Sequence, residues 1–352
     1  MTQPPHGLPP LGNTSPVWRR SWVPVAHSAE VPGNAPMHVL VAGDAWVITR
    51  MDGTLTAFDD QCPHRLSPLS AGCVTRADDG SPRLVCAAHG WRFDVTGYCD
   101  LAPTEGGRHR SHGGRHHARS HGGHWRHHER GIGARLVPAF GITERYGLIW
   151  LAAEEPLTPL PEFPQWTDDP AGVHAHSVRT LASAGQVLNS FLDTTPSRAG
   201  TVFQAGTVLQ AGTVSHAGTV TTEGWQVTGT FDVMPADGTA PGYRAALAAG
   251  PHGTIHVRMD LPPATIGILF SCQPEDEGST RVFTLITSSH LHGDDAAVDR
   301  FVREENGNLD DALATLDRSQ SALLPLDADP GVAGREPLSL AWRRVMGRAV
   351  NW

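Results

Sequence analysis

Cys62-Pro63-His64, answered further on by Cys86-Ala87-Ala88-His89-Gly90-Trp91, is the stretch whose reading decides the fold. Each segment joins one thiol and one imidazole across a very short spacer, which requires a tight loop. Two such loops facing each other offer two sulfurs and two nitrogens. That donor set holds a [2Fe–2S] cluster, thiolates on one iron and imidazoles on the other. Two Cys with two His is also a zinc set. A zinc finger, however, groups Cys with Cys and His with His, and its histidines ride on a helix. Here the pairs are mixed and their flanks are rich in Gly, Pro and β-forming residues, which favours the cluster and a one-electron relay.

Working outward, short apolar runs precede the first loop: Trp22-Val23-Pro24-Val25, Met37 to Val41, Ala45 to Thr49 and Leu55 to Phe58. Turn residues, including Met51-Asp52-Gly53, break them up, and the pattern predicts a β-meander feeding the loop. Arg83-Leu84-Val85 leads into the second loop and Trp91-Arg92-Phe93-Asp94 leads out, with an extended turn expected over Thr75 to Pro82. Arg145 to Leu151 is the expected closing strand. The first domain is thus expected over 17–153, a Pro-rich linker over 154–164 and a second domain over 165–340.

The second half predicts a helix over Val178 to Asp193, strands over Gly224 to Val233, Thr254 to Asp260, Thr265 to Ser271 and Val282 to Thr287, then a helix over Asp294 to Leu324. Strands followed by a helix that can lie across them indicate an α+β domain.

Two biased segments interrupt this plan. Residues 106–131 hold eight His and six Arg against the single acid Glu129, and Arg110-Ser-His-Gly-Gly-Arg-His-His recurs in varied form from Arg119. Metal capture or a basic contact is one reading. A solvated tandem-repeat expansion in a surface loop is favoured, because no ligand spacing of a structural site is present. Ala-Gly-Thr-Val occurs four times at a six-residue period within 199–220. Four hexads make little more than one β-helical coil, so a loop or short hairpin is expected.

At 352 residues the chain is long enough for two cores, and its net charge of −9 argues against nucleic acid as a partner. No run approaches the ~18 apolar residues of a membrane span. Met1 to Pro16 reads as a disordered leader without the apolar core of a secretory signal. Five cysteines give no even disulfide framework. Cys73, Cys99 and Cys272 are expected as free thiols, which suits a reducing cytoplasm. All 27 basic residues are Arg, a mark of codon bias from which no function follows.

From Trp18 onwards the chain resembles the oxygenase (alpha) component of Rieske non-haem iron oxygenases, in particular the vanillate O-demethylase and dicamba demethylase group. The resemblance rests on Cys-Pro-His-Arg-Leu-Ser-Pro-Leu (62–69), Cys-x-x-His-Gly-Trp-Arg-Phe-Asp (86–94) and Glu-Arg-Tyr-Gly-Leu-Ile-Trp (144–150). Quinol-oxidising Rieske proteins carry an extra disulfide between the cluster loops; Ser67 and Ala88 stand in those slots here. The resemblance implies an N-terminal all-β Rieske domain, an antiparallel β-sandwich, followed by a helix-grip type antiparallel sheet domain with a C-terminal helix. Cys62, His64, Cys86 and His89 are the implied cluster ligands.

The resemblance also implies mononuclear iron(II) on two His and one carboxylate in the second domain. The family motif maps onto Asn189-Ser-Phe-Leu-Asp193-Thr-Thr-Pro196, and proline occupies the first histidine slot. The second histidine slot precedes Ala-Gly-Thr-Val; its copies hold Arg198, Gln204, Gln210 and His216, of which only His216 can bind metal. Asp310 is the expected carboxylate, because Leu309, Leu313, Leu316 and Gln320 share one helical face that Asp310 and Asp317 flank, while Asp311 points away. Asp193 matches the aspartate that links cluster to iron between subunits; a helix-terminal cap is the plainer reading. His174, His176, His290 and His292 are spare imidazoles. The implied partners are a flavin- and NAD(P)H-dependent reductase or a ferredoxin, O₂ and a small aromatic or cyclic substrate, in a cytoplasmic homotrimer without nucleic acid or membrane. Pro196 and the two repeats keep a second reading open, a degenerate electron carrier that retains only the cluster; a metal-binding scaffold built on the His-rich segment is a third.

Overall fold

A computed structural model describes residues 8–33, 35–103, 133–166, 173–192, 212–216, 219–235, 243–261, 264–288, 295–318, 323–327 and 337–352. The His-rich segment, Asp193, Pro196, Arg198, Gln204, Gln210, His290, His292 and Gln320 lie outside these residues, as do the side chains of His174 and His216. The chain forms two compact units, one of residues 26–39 and 45–149, the other of residues 1–25, 40–44 and 150–352.

The first unit draws on β1 (Val23–His27), β2 (Met37–Val41), β3 (Asp44–Met51), β4 (Thr54–Asp59), β5 (Cys73–Arg76), β6 (Pro82–Val85), β7 (Arg92–Phe93), β8 (Cys99–Leu101), β9 (Gly141–Arg145) and β10 (Leu148–Ala152). These make three sheets, β2-β3-β4, β5-β6-β7-β8 and β1-β10-β9. The expected meander is therefore β2 to β4, whereas β1 joins β10. Asp52 and Gly53 turn β3 into β4 with both φ angles positive, at 50° and 82°. That is the turn whose twist matches the paired strands. The extended turn expected over Thr75 to Pro82 is the tip of the β5–β6 hairpin. Val47, Met51, Phe58, Leu69, Leu84, Trp91, Phe93 and Cys99 form one buried cluster that also contains Cys62 and Cys86.

The second unit is built on an eight-stranded sheet. Its elements are β11 (Val173–Thr180), α1 (Ala184–Leu192), β12 (Gly212–His216), β13 (Val220–Glu223), β14 (Gln226–Pro235), β15 (Tyr243–Ala249), β16 (Thr254–Leu261), β17 (Ala264–Asp276), β18 (Ser279–Ser288), α2 (Asp295–Leu316) and α3 (Pro337–Val350). The order is β11-β18-β17-β16-β15-β14-β12 with β13 also on β14, and every pair is antiparallel. Helices cover one face: Phe191 of α1 packs on Phe270 at 4.6 Å, and a Cβ at Gly229 would meet Leu338 of α3 at 3.2 Å. Residues 157–166 lie on the other face. A Cβ at Gly267 would stand 2.4 Å from Cβ of Gln165, Gln165 bonds His256, and Phe163 meets that ring edge-on at 5.4 Å.

Several expectations are corrected here. Residues 8–16 are not a disordered leader: Leu11 is buried and exchanges backbone bonds of 2.8 and 2.9 Å with Leu324, and the Asn13 amide donates to the Asp276 and Ser279 carbonyls. The helix expected from Val178 begins at Ala184. Ser183 and Gln186 form a capping box, with Gln186 N–H donating to Ser183 Oγ and Ser183 N–H to Gln186 Oε1, while Val178 to Thr180 pair in the sheet. The helix expected to reach Leu324 ends at Leu316, and Leu324 pairs with Leu11 instead. β15 and α3 are additions to the expected elements. The stretch 212–216 of the repeat is a strand paired with β14.

Candidate functional site

The two cluster loops are built on one backbone plan. The Cys62 carbonyl accepts from Leu66 N–H at 2.8 Å and its N–H donates to the Ser67 carbonyl at 2.9 Å. The Cys86 carbonyl accepts from Gly90 N–H and its N–H donates to the Trp91 carbonyl, both at 2.9 Å. The fourth residue after each Cys takes the left-handed conformation, Leu66 at φ 57° and Gly90 at φ 72°. Gly adopts that freely, whereas Leu is strained there. Each turn curls around its cysteine carbonyl, so the histidine two or three residues on is carried on the same tight loop.

Both thiols are buried, whereas the imidazoles are half-buried. Burial, with the Cys86 thiol alongside, pushes the Cys62 thiol up to about 11. Such a thiol stays protonated in the bare protein and needs a metal to ionise it. The His64 and His89 rings meet edge-to-face at 4.7 Å, and His64 stacks on Trp91 at 4.9 Å, 11° from parallel. His64 Nδ1 is buried with no hydrogen-bond partner among the described residues. A buried acceptor left unpaired is costly. An iron at that nitrogen, beside two adjacent buried thiols, satisfies it, so these residues fit a [2Fe–2S] cluster.

The first loop is closed at its base by a carboxylate that the spacing argument missed. Asp60, whose side chain is 1% exposed, accepts Ser70 N–H at 2.7 Å and lies 2.8 Å from His38 Nδ1. At the junction with β5, Gly72 admits no side chain, since a Cβ there would stand 2.0 Å from the Val85 carbonyl. An acidic residue two positions before the first cluster cysteine and a serine just past the loop were the available signals.

The iron ligands that the resemblance implies are not brought together by the described residues. Pro196 has no metal-binding atom, and Asp193 and the His216 side chain fall outside the described residues. Asp310 pairs with His176 of β11, its Oδ1 3.7 Å from His176 Nε2. Its helical neighbour Asp317 is occupied structurally, binding the Thr180 hydroxyl and accepting the Leu181 N–H at 2.7 Å. Asn189, first residue of the motif, accepts from Arg343 Nε of α3 at 2.7 Å. With proline in one histidine slot, the set of two His and one carboxylate that the resemblance implies lacks one ligand as mapped. Among the described residues outside the two cluster loops, no group of three or more His, Cys, Asp or Glu is placed to hold a metal ion.

A family model for the Rieske [2Fe-2S] domain matches residues 21–111. Methylxanthine N3-demethylase NdmB of Pseudomonas putida is 36% identical over 101 residues, 27% of this chain and 28% of that protein. The sequence match thus spans little more than a quarter of that relative's length. In three dimensions the likeness runs further. The structure of NdmB from Pseudomonas putida CBB5 superposes with a TM-score of 0.70 at 19% identity, over 97% of this chain and 98% of that one. Apo dicamba monooxygenase superposes with a TM-score of 0.64 at 17% identity, over 95% and 97%. At these identities the structural likeness speaks for the fold.

Proposed function

For a Rieske-domain chain built on the fold of the Rieske oxygenase alpha components, we infer an oxidoreductase that oxidises a small aromatic or cyclic molecule by hydroxylation or demethylation. The observation that carries this reading is the pair of matched loops, with two adjacent buried thiols, a His64 Nδ1 unpaired among the described residues, and the His64 and His89 rings in edge-to-face contact. When bound, the cluster supplies one electron at a time. The protein's part is positional. Trp91 fixes the His64 ring plane, the Cys86 and Cys62 turns hold the thiols in a water-poor core, and the half-buried imidazoles form the end of the site nearer solvent. Electron exchange with a partner is accordingly assigned to the histidine end. The donor is a flavin- and NAD(P)H-dependent reductase or a ferredoxin, and the assembly a homotrimer in which Asp193 links neighbouring subunits. A cytoplasmic setting accords with free cysteines; among the described residues no helix is long and apolar enough to cross a membrane.

A second reading, an electron carrier without oxygenase chemistry, is favoured by one observation, Pro196 in a histidine slot. The two part in a single-turnover experiment. Chemically reduced protein is mixed with O₂ and a panel of methoxylated and N-methylated aromatics. Substrate-dependent reoxidation of the cluster, with an atom of O₂ in the product, is the expected result. Reoxidation that ignores every substrate selects the carrier.

A further inference from the structure

The second unit holds a cavity on the face of its sheet that the helices leave bare. Ile255 opposes Phe270, on which α1 packs, so the alternate residue His256 and its register partner Ala248 belong to the other face. There the strap 157–164 runs over the sheet and encloses about 440 Å³ above Ala248 and His256. A cavity of that size is within the range of small-molecule sites. Asp310 of α2 reaches His176, which shares the face of Phe270 through Thr284, so it lies across the sheet from this cavity. Both ends of the strap are pinned. Leu157 N–H donates to the Arg20 carbonyl at 2.9 Å, and at the other end Gln165 bonds His256 while Phe163 meets the same ring at 5.4 Å. Pro159, Pro161 and Pro164 fix the backbone between the pins and supply no N–H, so the strap offers more acceptors than donors.

The lining selects charge. Glu162 and Glu223 line the cavity and are exposed to solvent, and among the described residues no Arg lines it, while the chain has no Lys at all. His252 and His256, also in the lining, are held neutral, burial lowering both to about 4. His252 Nδ1 is buried without a hydrogen-bond partner among the described residues; with the ring proton on Nε2 it is a further acceptor. Trp225, over whose ring Arg348 stands at 5.3 Å, forms one wall, and the half-buried Leu157 and Leu160 of the strap form another. Carboxylates and acceptors without a lining cation, beside an aromatic wall, match a positively charged donor on a flat apolar body. We propose that this cavity binds an organic cation, a primary arylalkylamine whose ring lies along Trp225 and the strap leucines and whose ammonium faces Glu162 and Glu223. Such a site is separate from any oxidation carried out on the helix-covered face.

The test is a calorimetric titration of the full-length, cluster-loaded protein with tryptamine, its neutral analogue ethylindole and its anionic analogue indolepropionate, with no reductant present. Wild type is expected to bind tryptamine more tightly than either analogue. The double variant Glu162→Gln/Glu223→Gln should weaken tryptamine by about fivefold and leave ethylindole unchanged. Ala248→Phe, which fills the cavity floor, should abolish the binding of both, with cluster absorption and melting temperature as the checks on folding. If that variant folds poorly, Trp225→Leu carries the test of the wall, with a loss of about fivefold for both ligands. Tryptamine affinity unaltered in the carboxylate variant overturns the proposal, as does indolepropionate bound as tightly as tryptamine or the absence of measurable tryptamine binding. Because binding is read without turnover, the cavity can hold its ligand while the oxygenase reading falls, and the reverse.

Discussion

The Asp60 carboxylate and the Ser70 hydroxyl are 2.5 Å apart, and this contact ties the two ends of the loop that carries Cys62 and His64. The same carboxylate also receives the Ser70 N–H at 2.7 Å, so one side chain satisfies two donors of one residue. Replacing Asp60 with Ala leaves both donors without this acceptor and is expected to cost roughly 2–4 kcal/mol. The sensitive readout is cluster retention. In the presence of an iron chelator, the visible absorption of Asp60→Ala should decay several times faster than that of wild type, and equal decay would show the clamp to be dispensable.

The shared backbone plan of the two loops makes an exchange of residues informative. Gly90 sits at φ 72° and Leu66 at φ 57°, equivalent places in the two turns. Gly90→Ala should destabilise the protein by about 1 kcal/mol, because a Cβ is strained in the left-handed region. At Leu66 the opposite change removes strain but frees the unfolded chain, and Leu66 is largely exposed. Leu66→Gly is therefore expected within about 0.5 kcal/mol of wild type. Thermal melts of the two variants check this, and an equal loss in both would refute the equivalence of the turns.

Alanine at Cys62, His64, Cys86 or His89 should remove the visible absorption and the EPR signal of the reduced [2Fe–2S] centre. Iron and acid-labile sulfide analysis provides the independent check. Wild-type protein that contains zinc and no sulfide would mean that the paired loops hold a different metal.

Burial lowers His252 and His256 to about 4, the latter with help from Arg258. In the unfolded chain both return to about 6.5. Between these values the unfolded chain binds more protons, so acidification favours unfolding. The stability they protect is complete above about pH 6.5 and lost as the pH falls towards 4. His252 Nδ1 is buried without a partner among the described residues, so His252→Leu removes a titrating group without breaking a described side-chain hydrogen bond. Melting temperatures measured from pH 7 to 4.5 should decline less steeply in this variant, and parallel curves would exclude His252 as a source of the slope.

The strands were legible where their chemistry was local. Asp52-Gly53 specified a hairpin, and the alternating runs on either side became β3 and β4 within a residue or two. The Cys-x-His and Cys-x-x-His pairs were legible because a short spacer leaves the loop few conformations. The start of α1 was misplaced because apolar periodicity ran through β11 and the helix alike, while the stop between them is a capping box, Ser183 with Gln186. Leu11 could not be recognised as structural, since its backbone partner Leu324 lies near the far end of the chain. The same holds for His176 and Asp310, which local pattern could nominate singly but only sheet register and helix packing bring together.

The pairing of Leu11 with Leu324 also bears on the order in which the molecule is made. One side of that bridge leaves the ribosome about 300 residues before the other, a wait on the order of 15–60 s at 5–20 residues per second. During that interval Leu11, Trp18 and Asn13 belong to a unit whose sheet does not yet exist, while the cluster-bearing residues 26–39 and 45–149 are already available to fold. A nascent chain thus carries a finished iron–sulfur module flanked by an apolar N-terminal segment still waiting for its place. Completion of the first unit and seating of that segment are therefore separate events in synthesis. A fragment starting after residue 25 is expected to keep the first unit and to destabilise the second, which loses the Leu11–Leu324 bridge and the Asn13 bonds.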